Sequence, residues 1–182
     1  MVIRLIDVCD IRGNTSYRRG SVSLQKEQLG ELILDSQEQL YRVAKTILRS
    51  DDDCADAIQN CIVKAFTKLH TLKTDKYAKS WLIRILINAC YDFVRENQKV
   101  IPLQDVREVE STQDAIRTCG EYTELYEALM KLSETERLVV ELYYLEGYRI
   151  REIADILEIT ENAVKKRLFR ARENLKMQLK EA

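Results

Sequence analysis

One proline and five glycines in 182 residues leave this chain almost without the residues that break helices and build tight turns. An all-β or doubly wound architecture needs frequent turns made from such residues, whereas long helices need few. The chain is therefore expected to be all-α. Apolar residues at 46% can fill a core and charged residues at 32% can cover it. The length suits one domain or two small ones.

The termini and cysteines narrow the class. No run of about 18 uncharged apolar residues exists to span a membrane. Arg4 and Asp7 interrupt the apolar stretch from Val2 to Val8, which denies it the character of a secretory signal. A cytoplasmic protein without membrane insertion is expected. Cys9, Cys54, Cys61, Cys90 and Cys119 are odd in number and lack CxxC or CxxxH spacing. They read as reduced, mostly buried thiols rather than a disulfide framework or zinc site, so no metal and no cofactor is expected.

Charge is segregated along the chain. Residues 73–99 carry a net +3 and 161–182 a net +4, separated by −8 over 100–160. Two basic stretches around an acidic centre suit a protein that meets nucleic acid at two places.

Apolar periodicity gives the organisation. Residues 1–21 show no helical stripe and read as a loose arm. Leu24, Leu29, Leu32, Ile33, Leu40, Val43, Ala44 and Ile47 recur at three and four, which predicts one amphipathic helix over 22–49. Ser50 followed by Asp51, Asp52 and Asp53 supplies a cap and carboxylates at the positive end of a second helix, from about Asp52 to His70. Its apolar face is read as Ala55, Ile58, Ile62, Ala65, Phe66 and Leu69. A third helix, about Asp75 to Glu96, carries Tyr77, Trp81, Leu82, Ile85, Leu86, Ala89 and Phe93.

These helices make a first domain over 22–98. Residues 99–120, with Pro102, Asp105, Glu108, Glu110 and Asp114, read as an acidic, flexible linker. Short helices then fill a second domain over 121–182. Ser133 and Glu136 match a capping box, Gly147 ends that helix, and Thr160 caps the last one.

The segment from Ile150 to Arg172 has the grammar of a helix-turn-helix: Ile153, Ala154 and Leu157 on one helix, Ile159 in the turn, and Val164, Leu168, Ala171 and Leu175 on the next. The opposite face of that last helix presents Glu161, Asn162, Lys165, Lys166, Phe169 and Arg170, where a recognition helix carries base-reading side chains. Arg167 and Arg172 lie to the sides, placed for phosphates.

Leu145-Glu146-Gly147-Tyr148-Arg149-Ile150-Arg151-Glu152-Ile153-Ala154-Asp155-Ile156-Leu157, followed by Val164-Lys165-Lys166-Arg167-Leu168-Phe169-Arg170-Ala171-Arg172, closely resembles the promoter-binding C-terminal domain of bacterial RNA polymerase sigma factors of the extracytoplasmic-function group. Asp53-Cys54-Ala55-Asp56-Ala57-Ile58-Gln59 resembles the group's polymerase-binding helix. Trp81-Leu82, Ile85, Asn88, Asp92 and Arg95 resemble its promoter-melting helix. Two motifs in this order on one chain are far more specific than either alone.

The resemblance implies a transcription initiation factor, not an enzyme, that docks on core RNA polymerase at the clamp coiled coil and flap. It implies Asp56, Gln59 and Asn60 for polymerase docking, Asn88 for the −10 element as melted strand, and Lys165, Lys166, Phe169 and Arg170 for the −35 element as duplex, with Arg167 and Arg172 beside them. Lys73, Lys76 and Tyr77 are read as the wall of a pocket for an extruded base. An anti-sigma factor is the further partner implied.

The chain departs from the family pattern at Asn60, where an acidic residue is common, at Ile62, where an aromatic is usual, and at Lys166, which replaces a small hydroxyl residue. Glu158 replaces the usual turn glycine, so the turn must either avoid a left-handed backbone or carry strain. Residues 1–21 fall outside the resemblance, and a translation start near Val22 or Leu24 is the corresponding expectation.

Two other classes stay open on the residues alone. A stand-alone helix-turn-helix regulator would bind duplex unaided, commonly as a dimer; a helical adaptor would show no salt-dependent affinity for duplex. Catalysis is a poor reading, because His70 is the sole histidine and no Gly-rich phosphate loop exists.

Overall fold

A computed structural model describes residues 24–100 and 123–179; the expected arm and acidic linker, with Cys9 and Cys119, lie outside them. The described residues are helical with short connections. In chain order they form α1 (Lys26–Asp35), α2 (Gln37–Ile47), α3 (Asp51–Lys68), α4 (Ala78–Val100), α5 (Thr123–Lys131), α6 (Glu134–Val140), a wide π-turn (Glu141–Leu145), α7 (Ile150–Leu157) and α8 (Glu161–Gln178).

The single helix expected over 22–49 is two. Ser36 leaves helical geometry with φ −101° and ψ 6°, while its amide still bonds back to Leu32 and Ile33 and its carbonyl accepts from Leu40. Ser36 is buried, and serine supports a helix interior less well than the Leu and Gln residues around it, which makes it a natural place to change direction. The apolar spacing carries on across the break, which is why the pattern conceals it.

Ser50 caps α3 as expected, its hydroxyl accepting from the Asp53 amide at 3.5 Å. The buried face differs from the expected one. Cys54, Ala57, Cys61 and Ala65 lie innermost, while Ala55, Ile58, Ile62, Phe66 and Leu69 are half-buried at the flanks. Small side chains along that line let α3 approach α4 closely, and the Cys61 thiol donates to the Leu82 carbonyl at 3.8 Å. Burial pushes the thiols of Cys54 up to about 11 and of Cys61 and Cys90 up to about 12, so all three stay protonated.

The third helix begins later and runs further than the spacing predicts. Asp75–Tyr77 is a short 3₁₀ turn, α4 starts at Ala78, and it continues past Glu96 to Val100. Leu82, Leu86, Ala89 and Cys90 are buried as a single stripe requires, but Ile83 and Ile87 are buried as well. A helix with apolar residues around most of its girth needs neighbours on more than one side.

The second domain supplies that neighbour. Its core, Leu138, Val139, Leu142, Ile153, Val164 and Leu168, is continuous with the core of the first domain through α2, α4, α6 and α7. Polar clasps reinforce the contact. Arg137 in α6 donates through Nε and Nη2 to the Thr46 carbonyl, both at 3.1 Å, capping the end of α2. Arg42 and Gln39 in α2 converge on Glu146, at 2.9 and 2.7 Å.

Within the second domain the capping box at Ser133 forms: its hydroxyl accepts from the Glu136 amide at 3.4 Å, and the Glu136 carboxylate accepts from the Ser133 amide at 3.3 Å. Ser133→Ala should cost about 1 kcal/mol, the usual loss of such a cap, read as a lower denaturant midpoint with unchanged slope. An unchanged midpoint would show that the box carries no stability here.

Gly147 takes φ +71° where the chain leaves the π-turn. Glu158, closing α7, takes φ 54° and ψ 41°, so the turn adopts the left-handed backbone after all, at a cost of about 1 kcal/mol for a residue with a Cβ.

Candidate nucleic-acid interface

The last helix is built to show one face. The Thr160 hydroxyl accepts from the Ala163 amide at 3.2 Å and starts α8. Val164, Leu168 and Ala171 bury the inner side. Glu161, Asn162, Lys165, Lys166, Phe169 and Arg170 are exposed together on the outer side, and Phe169 is 64% exposed despite being wholly apolar. An aromatic ring held in water between cations has the makings of a base or sugar contact.

The two flanking arginines differ. Arg172 donates through Nε to the Tyr144 hydroxyl at 2.7 Å and lies over the rings of Tyr143 and Tyr144, with centroids 6.0 and 5.6 Å away. Its guanidinium is thereby oriented on the π-turn. Arg167 is half-buried and faces the first domain instead of standing clear beside α8.

Two cavities lie along α4. The larger, about 480 Å³, is lined from the first domain by Thr71, Lys73, Thr74, Tyr77, Ser80, Trp81 and Arg84, among others. That volume falls in the range of small-ligand sites, roughly 300–1,000 Å³. Tyr77 is 53% exposed, so it belongs to the wall rather than the core, and Lys76 Nζ sits 5.9 Å from the centre of its ring. Trp81 is buried at 7% exposure, a packing residue whose edge reaches the cavity.

Asn88 lines a second cavity of about 250 Å³ with Tyr91, Glu158 and Arg167. Lys73 and Tyr77 are thus together, Lys76 adjoins them, and Asn88 stands apart further along α4. Arg84 and Ser80 were not singled out from the sequence. The signal for Arg84 was present: Trp81, Arg84 and Asn88 recur at three and four and so share one side of α4.

Elsewhere in the first domain, Asp56, Gln59 and Asn60 are exposed on α3. Val63, 65% exposed and one turn on, continues the same face and is the apolar member that the sequence reading missed. At the head of α3, Asp51 pairs with Lys45 and accepts from the Tyr41 hydroxyl at 2.9 Å. The hydrogen bond from Lys45 is the main cause holding its carboxyl below the ordinary carboxylate range.

Residues 32–100 match the family model of sigma-70 region 2, and residues 122–175 match that of sigma-70 region 4. The chain is 32% identical over 154 residues to the RNA polymerase sigma factor SigV of Bacillus subtilis, covering 85% of this chain and 92% of that one. It belongs to the ECF sigma factors.

A further relative, the ECF sigma factor SigM of Mycobacterium tuberculosis, is 32% identical over 166 residues, or 90% of this chain and 83% of the relative. Two solved structures share the fold. One is RpoE in complex with the anti-sigma factor NepR from Bartonella quintana, with TM-score 0.66 and 22% identity over 85% of this chain and 98% of that one. The other is CnrH in complex with the cytosolic domain of CnrY, with TM-score 0.64 and 24% identity over 86% and 90%.

The protein is thus a factor for transcription initiation that binds RNA polymerase and DNA, and not an enzyme. In this sigma factor α3 and α4 lie in region 2 and the helix-turn-helix of α7 and α8 in region 4. No described helix is long and apolar enough to cross a membrane.

Proposed function

We propose that this sigma factor works in the cytoplasm as two modules, 22–98 and 121–182, with residues 99–120 as the strap between them. The first docks on the clamp coiled coil of core polymerase through Asp56, Gln59 and Asn60. It then takes the −10 element as a melted strand, with Asn88 and the cavity bearing Lys73 and Tyr77, flanked by Lys76, as its receptors. The second reads the −35 element as duplex through Lys165, Lys166, Phe169 and Arg170, with Arg172 for phosphates, and meets the flap; Arg167, half-buried against the first domain, drops out of the expected phosphate contacts. Its further partner is an anti-sigma factor, the kind of protein with which RpoE is found in its complex with NepR.

The observation that carries this reading is the exposed face of α8. Lys165, Lys166, Phe169 and Arg170, four side chains suited to bases and phosphates, stand in water on a capped helix packed as the second of a helix-turn-helix. Run-off transcription on genomic fragments tests it. Specific transcripts are expected only when core polymerase and this chain are combined, with no specific duplex binding by the chain alone. Specific operator binding without core polymerase would replace this reading with that of a stand-alone regulator.

A further inference from the structure

The two tyrosines of the π-turn meet in a way that neighbours on an α-helix do not. Residues i and i+1 of an α-helix point away from one another, yet the rings of Tyr143 and Tyr144 lie edge to face, 4.9 Å apart with 83° between their planes. The wide turn makes this possible: the Glu146 amide bonds back to the Glu141 carbonyl at 3.0 Å, and the Tyr148 amide to that of Leu142 at 2.9 Å. Such turns are rare and concentrate at functional sites.

What the two rings hold is a cation. Arg172 of α8 lies against both of them and donates through Nε to the Tyr144 hydroxyl. Its Nη groups make no hydrogen bond or ion pair among the described residues. The Tyr144 hydroxyl accepts from Arg172 and has no acceptor among them for its own proton. Both side chains stand in water, Tyr144 at 54% exposure. Oriented donors are thus left facing outward with nothing to receive them.

Their place on the domain suggests the receiver. Lys165, Phe169 and Arg172 are spaced at four and three along α8 and so share one stripe of its surface. The held guanidinium adjoins the face that reads the duplex, at the edge where backbone phosphates run beside a groove.

We propose that Tyr144 and Arg172 together grip one backbone phosphate of the −35 duplex, the Arg172 Nη groups on one oxygen and the Tyr144 proton on another, with the Tyr143 ring steadying the guanidinium. The proposal rests on the reading of α8 as the −35 helix. A guanidinium fork suits a phosphate, and a fork already held in place loses less rotamer freedom on binding than a free one. The grip reads no sequence; it sets the register in which Lys165, Phe169 and Arg170 meet the bases.

The test uses holoenzyme, core polymerase with the full-length chain as wild type, Tyr144→Phe, Arg172→Ala or the double variant Lys165→Ala, Arg170→Ala. The probe is a promoter fragment carrying single neutral methylphosphonates through its −35 duplex. Tyr144→Phe keeps the ring and removes only the hydroxyl. It should weaken promoter binding by about tenfold, the low end for a hydrogen bond to a charged group, and by the same factor on matched and mismatched −35 sequences. In wild type one phosphate should cost about tenfold when neutralised; in Tyr144→Phe and in Arg172→Ala that same phosphate should cost under about threefold. Arg172→Ala should also lower the slope of log affinity against log salt by about one.

Affinity for core polymerase and the urea midpoint should keep their wild-type values in Tyr144→Phe. A Tyr144→Phe protein that binds the promoter as wild type does, keeps the wild-type response at every neutralised phosphate, or loses affinity for core overturns the proposal; the second result makes the phenol a prop for the π-turn and the third a polymerase contact. If the Lys165→Ala, Arg170→Ala protein still loses promoter binding, only this phosphate grip has failed. If it too binds as wild type does, the reading of α8 has failed with it.

Discussion

Replacing Lys165 and Arg170 together by alanine is expected to lower transcription from a −35-dependent promoter by about a hundredfold, with core-polymerase binding unchanged. Both side chains are exposed on α8, and neither makes an ion pair among the described residues, so their removal costs the fold little. A good base contact is worth roughly 1–3 kcal/mol, and two of about 1.4 kcal/mol each supply the ~2.7 kcal/mol that a hundredfold requires. Asp56→Ala should do the reverse. It leaves α8 untouched and weakens core binding by about thirtyfold, the ~2 kcal/mol at the low end for one partner of a charge pair buried on docking. Run-off yield and core-binding affinity, measured on the same preparations, check both halves. Equal loss of both activities in the α8 and α3 variants would contradict the division of labour.

Glu141→Gln is expected to stabilise the protein above neutral pH and to flatten its stability between pH 4.5 and 7. Glu141 sits in the π-turn at 8% exposure, with Arg42 Nε 4.0 Å away and the Glu146 carboxylate competing for the same guanidinium. Burial, aided by Glu146 and opposed by Arg42, pushes its carboxyl from an ordinary 4.5 up to about 7. Below pH 4.5 the group is protonated folded and unfolded alike, and its environment costs nothing. Between 4.5 and 7 the unfolded chain gives up the proton first, so stability falls, by about 3 kcal/mol in all, and then levels off.

A neutral amide avoids that loss and should raise stability at pH 8 by about 2 kcal/mol, leaving an allowance for imperfect hydrogen bonding. Asp51 and Asp92, whose carboxyls are held low chiefly by hydrogen bonds from Lys45 and Lys64, lose their contributions only at lower pH and leave this window clear. Urea titrations at pH 5 and pH 8 measure the effect. A variant with the wild-type slope between them would remove Glu141 as its source.

What the sequence made legible is what local periodicity and capping encode. The spacing of Leu82, Leu86 and Ala89, the Ser50 and Thr160 caps and the Ser133 box all act within a few residues, and each is found in place. The break at Ser36 was hidden because the apolar face continues through it. The innermost line of α3 is not legible from size alone: Ile58, Ile62 and Phe66 are the larger apolar residues, while Cys54, Ala57 and Cys61 take the most buried positions by being small.

The packing of the two domains against each other left fainter marks. Ile83, Ile87 and Ile156 are apolar residues outside the stripes assigned to their helices, and each is buried. A second face was the missing explanation. Partners such as Arg137 and Thr46 or Arg42 and Glu146 are about a hundred residues apart, beyond any periodic argument. The candidate surfaces were easier to read, since exposed charge and aromatic residues on a helix betray themselves by where they stand. Arg84 and Val63 escaped because one passes for ordinary surface charge and the other for ordinary core.

The three buried thiols of α3 and α4 have a consequence for chemical sensing. Thiols held at about 11 to 12 offer almost no nucleophile to peroxide, and their position leaves no path for a reagent. Cys54, Cys61 and Cys90 become open to oxidation when the packing of region 2 around them opens, so oxidation at these positions reports on loss of structure.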